Sequence, residues 1–162
     1  MIRETEPMSR TGYNRLMKEL EHLETVELPE VRQAVAEARE EGDLKENGAY
    51  IYGLQRQGHI VGRIGELKGK LNRADIIDCT KVECDRALFG TVVSLLDLDT
   101  KEKVIYQLLG PDDADIDLGS ISIYSPVGSA IVGHSVGDKI SVELPRGERH
   151  LEVIDITRPQ VD

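Results

Sequence analysis

The ten residues EGDLKENGAY at 41–50 separate two stretches of helical periodicity. Before them Leu16, Leu20 and Leu23, then Val31, Val35 and Ala38, recur at steps of three and four. After them Tyr50, Gly53, Gln57, Ile60, Ile64, Leu67, Leu71 and Ala74 continue the same alternation. Steps of three and four in turn make the apolar seam of a coiled coil. Two such helices joined by so short a connection must fold back antiparallel. Asp43 and Glu46 then lie at the far end of a helical hairpin, away from a core of their own.

The hairpin boundaries follow from local chemistry. Ser9 or Thr11 can cap the first helix. Pro29 lacks an N–H and its ring meets the preceding turn, so it should kink that helix or divide it. Gly42 stands where a left-handed residue closes a helix. Asp43, with Glu46 three residues on, reads as the N-cap of the second helix in a capping box. That helix should reach about Arg73, and some 27 residues at 1.5 Å each span about 40 Å. Gly58, Gly62, Gly65 and Gly69 line the face opposite the seam. Each costs on the order of 1 kcal/mol against Ala in an exposed helix. A solvated surface or a close backbone approach would both account for the stripe.

Beyond Ala74 the pattern changes to short β-rich runs: ADIIDC 74–79, ALFGTVVSLLDL 87–98, KVIYQLLG 103–110, SISIYSP 120–126, DKISVEL 138–144 and RHLEVIDIT 149–157. Gly, Pro and Asp punctuate them as turns require. VGSAIVG at 127–133 suits a short helical turn. The expected fold is therefore α+β, with a coiled-coil arm over 1–77 and an antiparallel β domain over 78–162.

With 162 residues, 40% hydrophobic and 31% charged, the chain has the composition of a folded protein with an aliphatic core. It has no apolar run of membrane-spanning length and no signal-peptide pattern, which makes the cytoplasm the expected location. Residues 1–77 carry 12 Lys and Arg against 14 Asp and Glu; residues 78–162 carry 8 against 16. So acidic a second half is a poor ligand for phosphate backbones and suits a basic protein surface. Cys79 and Cys84 are half a structural zinc site at most and read as reduced thiols. His22, His59, His134 and His150 are scattered, and no phosphate-binding loop or nucleophile elbow is present.

The runs AEAREEGDLKENGAYIYGLQRQGHIVGRI, LNRADIID and SISIYSPVGSAIVGHSVGDKISVELPRGERHLEVIDI resemble the signatures of the GreA/GreB transcript-cleavage factors. The resemblance covers nearly the whole chain. It implies a coiled-coil arm on an FKBP-like C-terminal domain, and no enzyme activity of the protein's own. The partner it implies is bacterial RNA polymerase, gripped by the C-terminal domain through Ser125 and Pro126. The arm would enter the secondary channel and bring Asp43 and Glu46 to the active centre, where the polymerase hydrolyses backtracked RNA. No cofactor of its own is implied; the metal is Mg²⁺ of the polymerase active centre, held with the help of Asp43 and Glu46. The RNA 3′ end, and DNA of the elongation complex, would lie close by. The factor is expected to be a monomer away from membranes. The chain departs from the family pattern at Gly48-Ala49, where Ala-Glu is usual, and at Tyr124, where some members carry Asp.

Mg²⁺ prefers hard oxygens and often takes only one or two carboxylates. Asp43 and Glu46, three apart, can face the same side, so capping and metal delivery both fit them. Arg56, Arg63 and Lys70 form a stripe beside the seam. They suit either phosphate contact with extruded RNA or pairing with glutamates of the first helix. Two other readings are a channel-binding regulator that does not promote cleavage and a prolyl isomerase. The second is weakened by the few aromatics beyond residue 78, namely Phe89, Tyr106 and Tyr124.

Overall fold

The structure is a computed structural model and describes residues 4–42 and 46–160. It divides into two units, one of residues 14–73 and one combining residues 1–13 with 74–162.

The first unit is the helical hairpin. Its outgoing limb begins as α1 (Arg10–His22), loosens into a π-helical turn at Leu23–Glu27, and resumes as α2 (Leu28–Glu40). The loosening has a cause in Pro29, which stands at the start of α2. Proline donates no hydrogen bond and crowds the carbonyl one turn earlier. Widening the preceding turn makes room for the ring: the Leu28 N–H reaches back five residues to Leu23 O. The limb is thus divided without a break in its path. Gly42 follows α2 with φ +137°, outside the range L-residues favour.

The return limb is one helix, α3 (Gly48–Arg73). Leu23, Val31, Val35 and Ala38 on one limb and Gly53, Ile60, Ile64 and Leu67 on the other are buried, which is the expected seam. Gly53 has a packing reason: a Cβ there would come within 2.8 Å of Val35 Cγ2. On the opposite face, a Cβ at Gly58, Gly62 or Gly65 would meet no described atom within 4 Å. Within this chain that stripe is open surface.

The second unit holds a five-stranded sheet in the order β5-β4-β3-β7-β6. Its strands are β3 (Val92–Asp97), β4 (Lys103–Leu109), β5 (Ser120–Ser122), β6 (Lys139–Leu144) and β7 (Gly147–Thr157). Along β3 burial alternates residue by residue, as for a strand with one face on the core. The sheet is antiparallel except for β4 and β5, which pair parallel. That corrects the wholly antiparallel expectation. A parallel pair needs a crossover, and the segment between these strands supplies it, with a 3₁₀ turn at Ile116–Leu118. A bulge sits where β7 passes Ser94 and Leu95 of β3. The core is aliphatic, built on Val93, Leu95, Leu108, Ile131, Leu151 and Val153.

A two-stranded parallel sheet absent from the sequence reading also belongs to this unit. Strand β1 (Glu6–Ser9) pairs with β2 (Ala74–Ile77), two segments nearly the whole hairpin apart in sequence. Ser9 then opens α1: its Oγ accepts from the Gly12 N–H at 3.0 Å and donates to Asp113 Oδ1 at 2.6 Å. The Ser9 N–H donates to Asp113 Oδ2 at 2.8 Å. Asp113 is buried, and a side chain at Gly12 would overlap its carboxylate. Among the described residues, no helix is long and apolar enough to cross a membrane.

Candidate functional site at the hairpin connection and the Ser-Pro turn

Among the described residues, the amide of Asn47 bridges the two limbs at the hairpin connection. Asn47 Oδ1 accepts from the Tyr50 N–H at 3.1 Å, capping α3, and Asn47 Nδ2 donates to the Ala38 carbonyl at 2.6 Å. One side chain thereby satisfies an orphan donor at the start of α3 and adds a second donor to the Ala38 carbonyl, which also accepts from the Glu41 N–H at 3.2 Å. Arg39 adds a contact across the same gap. Its guanidinium carbon lies 5.6 Å from the Tyr50 ring centroid, and its Nη2 is 3.5 Å from the phenol oxygen.

The capping-box expectation at Asp43 is corrected by this arrangement. Helix α3 begins at Gly48, so the residue before it is Asn47, and the N–H of its third residue, Tyr50, is taken by Asn47. Asn is among the preferred caps, and its place immediately before Gly48 was the available signal. Glu46 lies in the turn before the cap and is exposed. Asp43 lies outside the described residues. Among the described residues no group of three or more His, Cys, Asp or Glu could hold a metal ion.

The basic stripe is engaged with glutamates. Arg63 makes a two-pronged contact with Glu19 on the facing limb, at 2.8 and 3.0 Å. That bond, more than any other influence, lowers the Glu19 carboxyl pKa and raises that of Arg63. Arg56 Nη2 is 3.5 Å from Glu27. Lys70 pairs at 2.9 Å with Glu66 of its own helix, and this is the main cause of the lowered Glu66 pKa. Lys68, which the seam pattern did not single out, reaches Glu24 at 3.3 Å.

In the other unit, Ser125 caps the short helix α4 (Pro126–Ile131). Its Oγ accepts from the Gly128 N–H at 3.1 Å and donates to the Ser122 carbonyl at 2.6 Å. Pro126 occupies the first helical position, where a missing N–H costs nothing, and it is exposed. A Cβ on Gly128 would overlap the Ser122 carbonyl, so the turn requires glycine there. Tyr124, just before the turn, has an exposed ring, yet a hydrogen bond to the Glu6 carboxylate raises its phenol pKa above the ordinary value.

The remaining candidates stay local. His134 Nδ1 is 3.1 Å from Asp138 and His150 Nδ1 is 3.2 Å from Ser141 Oγ. Cys79 is buried and Cys84 partly so, both as free thiols.

Comparison with known proteins gives matches to both units. Residues 6–76 match the family described as transcription elongation factor, N-terminal, and residues 82–158 match the C-terminal family of transcription elongation factor GreA/GreB. Transcription elongation factor GreA of Desulfotalea psychrophila is 49% identical over 150 residues, covering 93% of each chain. GreA of Pelobacter propionicus is 45% identical, covering 93% of this chain and 95% of the relative. Among solved structures, GreA factor homolog 1 of Thermus thermophilus is 31% identical with a TM-score of 0.44, covering 94% of this chain and 98% of that one.

Proposed function

The chain belongs to the GreA/GreB family of transcription elongation factors, and we propose on that ground that it binds bacterial RNA polymerase through the secondary channel and stimulates cleavage of backtracked RNA. It is not itself the catalyst: the reaction is the polymerase's own. On this reading it works in the bacterial cytoplasm as a monomer. The observation that carries the reading is the exposed Glu46 at the hairpin connection, in a turn whose helix-capping duty falls to Asn47.

Two added carboxylates suit Mg²⁺, which needs few protein oxygens and keeps most of its waters. Asp43 and Glu46 would hold an ion of the polymerase active centre from outside. Bound there, Mg²⁺ polarises the phosphodiester and acidifies a water. Glu46 would contribute a hard oxygen to the ion or accept a proton from that water. Asp43 would share the task from the same connection. Ser125 and Pro126 would present the polymerase-binding surface, an exposed proline on a turn fixed by the Ser125 hydroxyl. Arg56, Arg63 and Lys70 would contact extruded RNA by exchanging a glutamate for a phosphate. That exchange is inexpensive, because partly exposed ion pairs contribute only about 0–1 kcal/mol.

The test is a backtracked elongation complex supplied with Mg²⁺ and the protein. Shortened RNA is the expected product. Asp43→Ala and Glu46→Ala should each abolish the shortening while competing for polymerase as well as the parent chain. Binding without shortened RNA would instead mark a channel regulator, and full cleavage by both variants would remove the tip from the mechanism.

A further inference from the structure

We propose that Asn47 is a positioning residue for the tip: its amide clamps α2 to α3, and this fixes where Glu46 is presented. The inference rests on the cleavage-factor reading and assigns Asn47 no contact with RNA, metal or polymerase. Both ends of its side chain are already occupied within the hairpin, the donor by Ala38 O at 2.6 Å and the acceptor by the Tyr50 N–H at 3.1 Å. Ionised Asp at this place could cap α3 but has no proton to donate, and Ser or Thr would hold its single hydroxyl one bond short of the amide nitrogen that meets the carbonyl across the gap. The choice of an amide is thus explained by the bridge and not by the cap alone.

The seam cannot do this work. Its last buried residues toward the connection are Ala38 and Gly53, which carry little side-chain bulk. Beyond them, the described contacts that tie the two limbs are the Asn47 bridge and the Arg39–Tyr50 pair. Glu46 directly precedes Asn47 in the chain, its Cα about 3.8 Å from that of Asn47. Any slack in the bridge passes straight to the carboxylate. Reacting groups are sensitive to such slack, since a displacement of about 1 Å can cost on the order of 100-fold in rate.

Three variants separate bridge from cap and from the tip itself. Asn47→Ser keeps a cap but falls one bond short of the bridge, Asn47→Ala removes both, and Glu46→Ala marks loss of the carboxylate. Cleavage at saturating factor, half-saturating concentration on polymerase, and hydrogen exchange of the Tyr50 amide are read for each. The bridge predicts that Asn47→Ser lowers the maximal cleavage rate roughly tenfold, with polymerase affinity and Tyr50 amide protection near those of the parent. Asn47→Ala should lower the rate at least as far and expose the Tyr50 amide. Parental cleavage by Asn47→Ser overturns the proposal, whatever Asn47→Ala does. A parent chain that shortens no RNA, or a Glu46→Ala variant that still does, refutes the cleavage reading, and the assignment of Asn47 falls with it. Loss of polymerase affinity in the Ser variant in step with cleavage would also overturn it, by making Asn47 a contact.

Discussion

The hairpin and the sheet unit are held together in opposite ways. The sheet unit encloses its aliphatic side chains: Val93, Leu108, Ile131 and Val153 are fully buried. The hairpin has one seam of single side chains, flanked by ion pairs such as Arg63–Glu19 and Lys68–Glu24. Across that seam Val35 meets a glycine. An enclosed core loses free energy steeply when volume is removed. A two-helix seam loses less per residue, because each contact already borders water. The difference suits the proposed division of labour, in which one unit grips and the other reaches.

The largest test of this contrast is Leu95→Ala in the sheet core, where the side chain is 1% exposed. It should cost about 2–5 kcal/mol, seen as a lower urea midpoint for the tertiary signal of the sheet unit. A cost below about 1 kcal/mol would show that this core is no tighter than the seam.

The next test applies one substitution to two glycines of α3. Gly53→Ala would set a methyl 2.8 Å from Val35 Cγ2, and overpacking of that kind costs typically about 1–3 kcal/mol. Gly62→Ala meets only open space and should stabilise the helix by up to about 1 kcal/mol. Thermal melting of the helical signal should therefore move in opposite directions. Two shifts of the same sign would mean that the limbs do not approach at Gly53 as described.

The smallest effect is electrostatic. A double-mutant cycle on Arg63 and Glu19 should give about 0.2–1 kcal/mol at low salt, shrinking as salt is added. Glu19 has its pKa lowered by the Arg63 hydrogen bond. Its contribution is therefore complete above the ordinary glutamate range. It disappears as pH falls through that range to the lowered native value. A coupling that persists unchanged at acid pH would rule out an ionised Glu19 as its source.

Much of this was legible in the chain. The three-and-four alternation located both limbs, and α3 ends at Arg73 as expected. Pro29 announced a disturbance, though only the structure shows it as a π-helical turn. The short helical turn at 127–133 was visible locally, while the capping role of Ser125, whose bonds join residues three apart, was not read. Missing were the contacts that join distant segments. Nothing local in EPMS pairs it with ADII, and nothing near Ser9 points to Asp113, 104 residues away.

Sequence by itself determined the helical periods, the β-rich runs beyond Ala74 and the residues that carry charge at the connection, because each follows from spacing and side-chain chemistry along a short run. Tertiary structure alone decided the β1–β2 pairing, the parallel entry of β5, the pairing of Arg63 with Glu19 and the reach of Asn47 to the Ala38 carbonyl. Those outcomes depend on which unsatisfied donors and acceptors of remote segments come within about 3 Å of each other once the chain has folded, and distance in space is not written in distance along the chain.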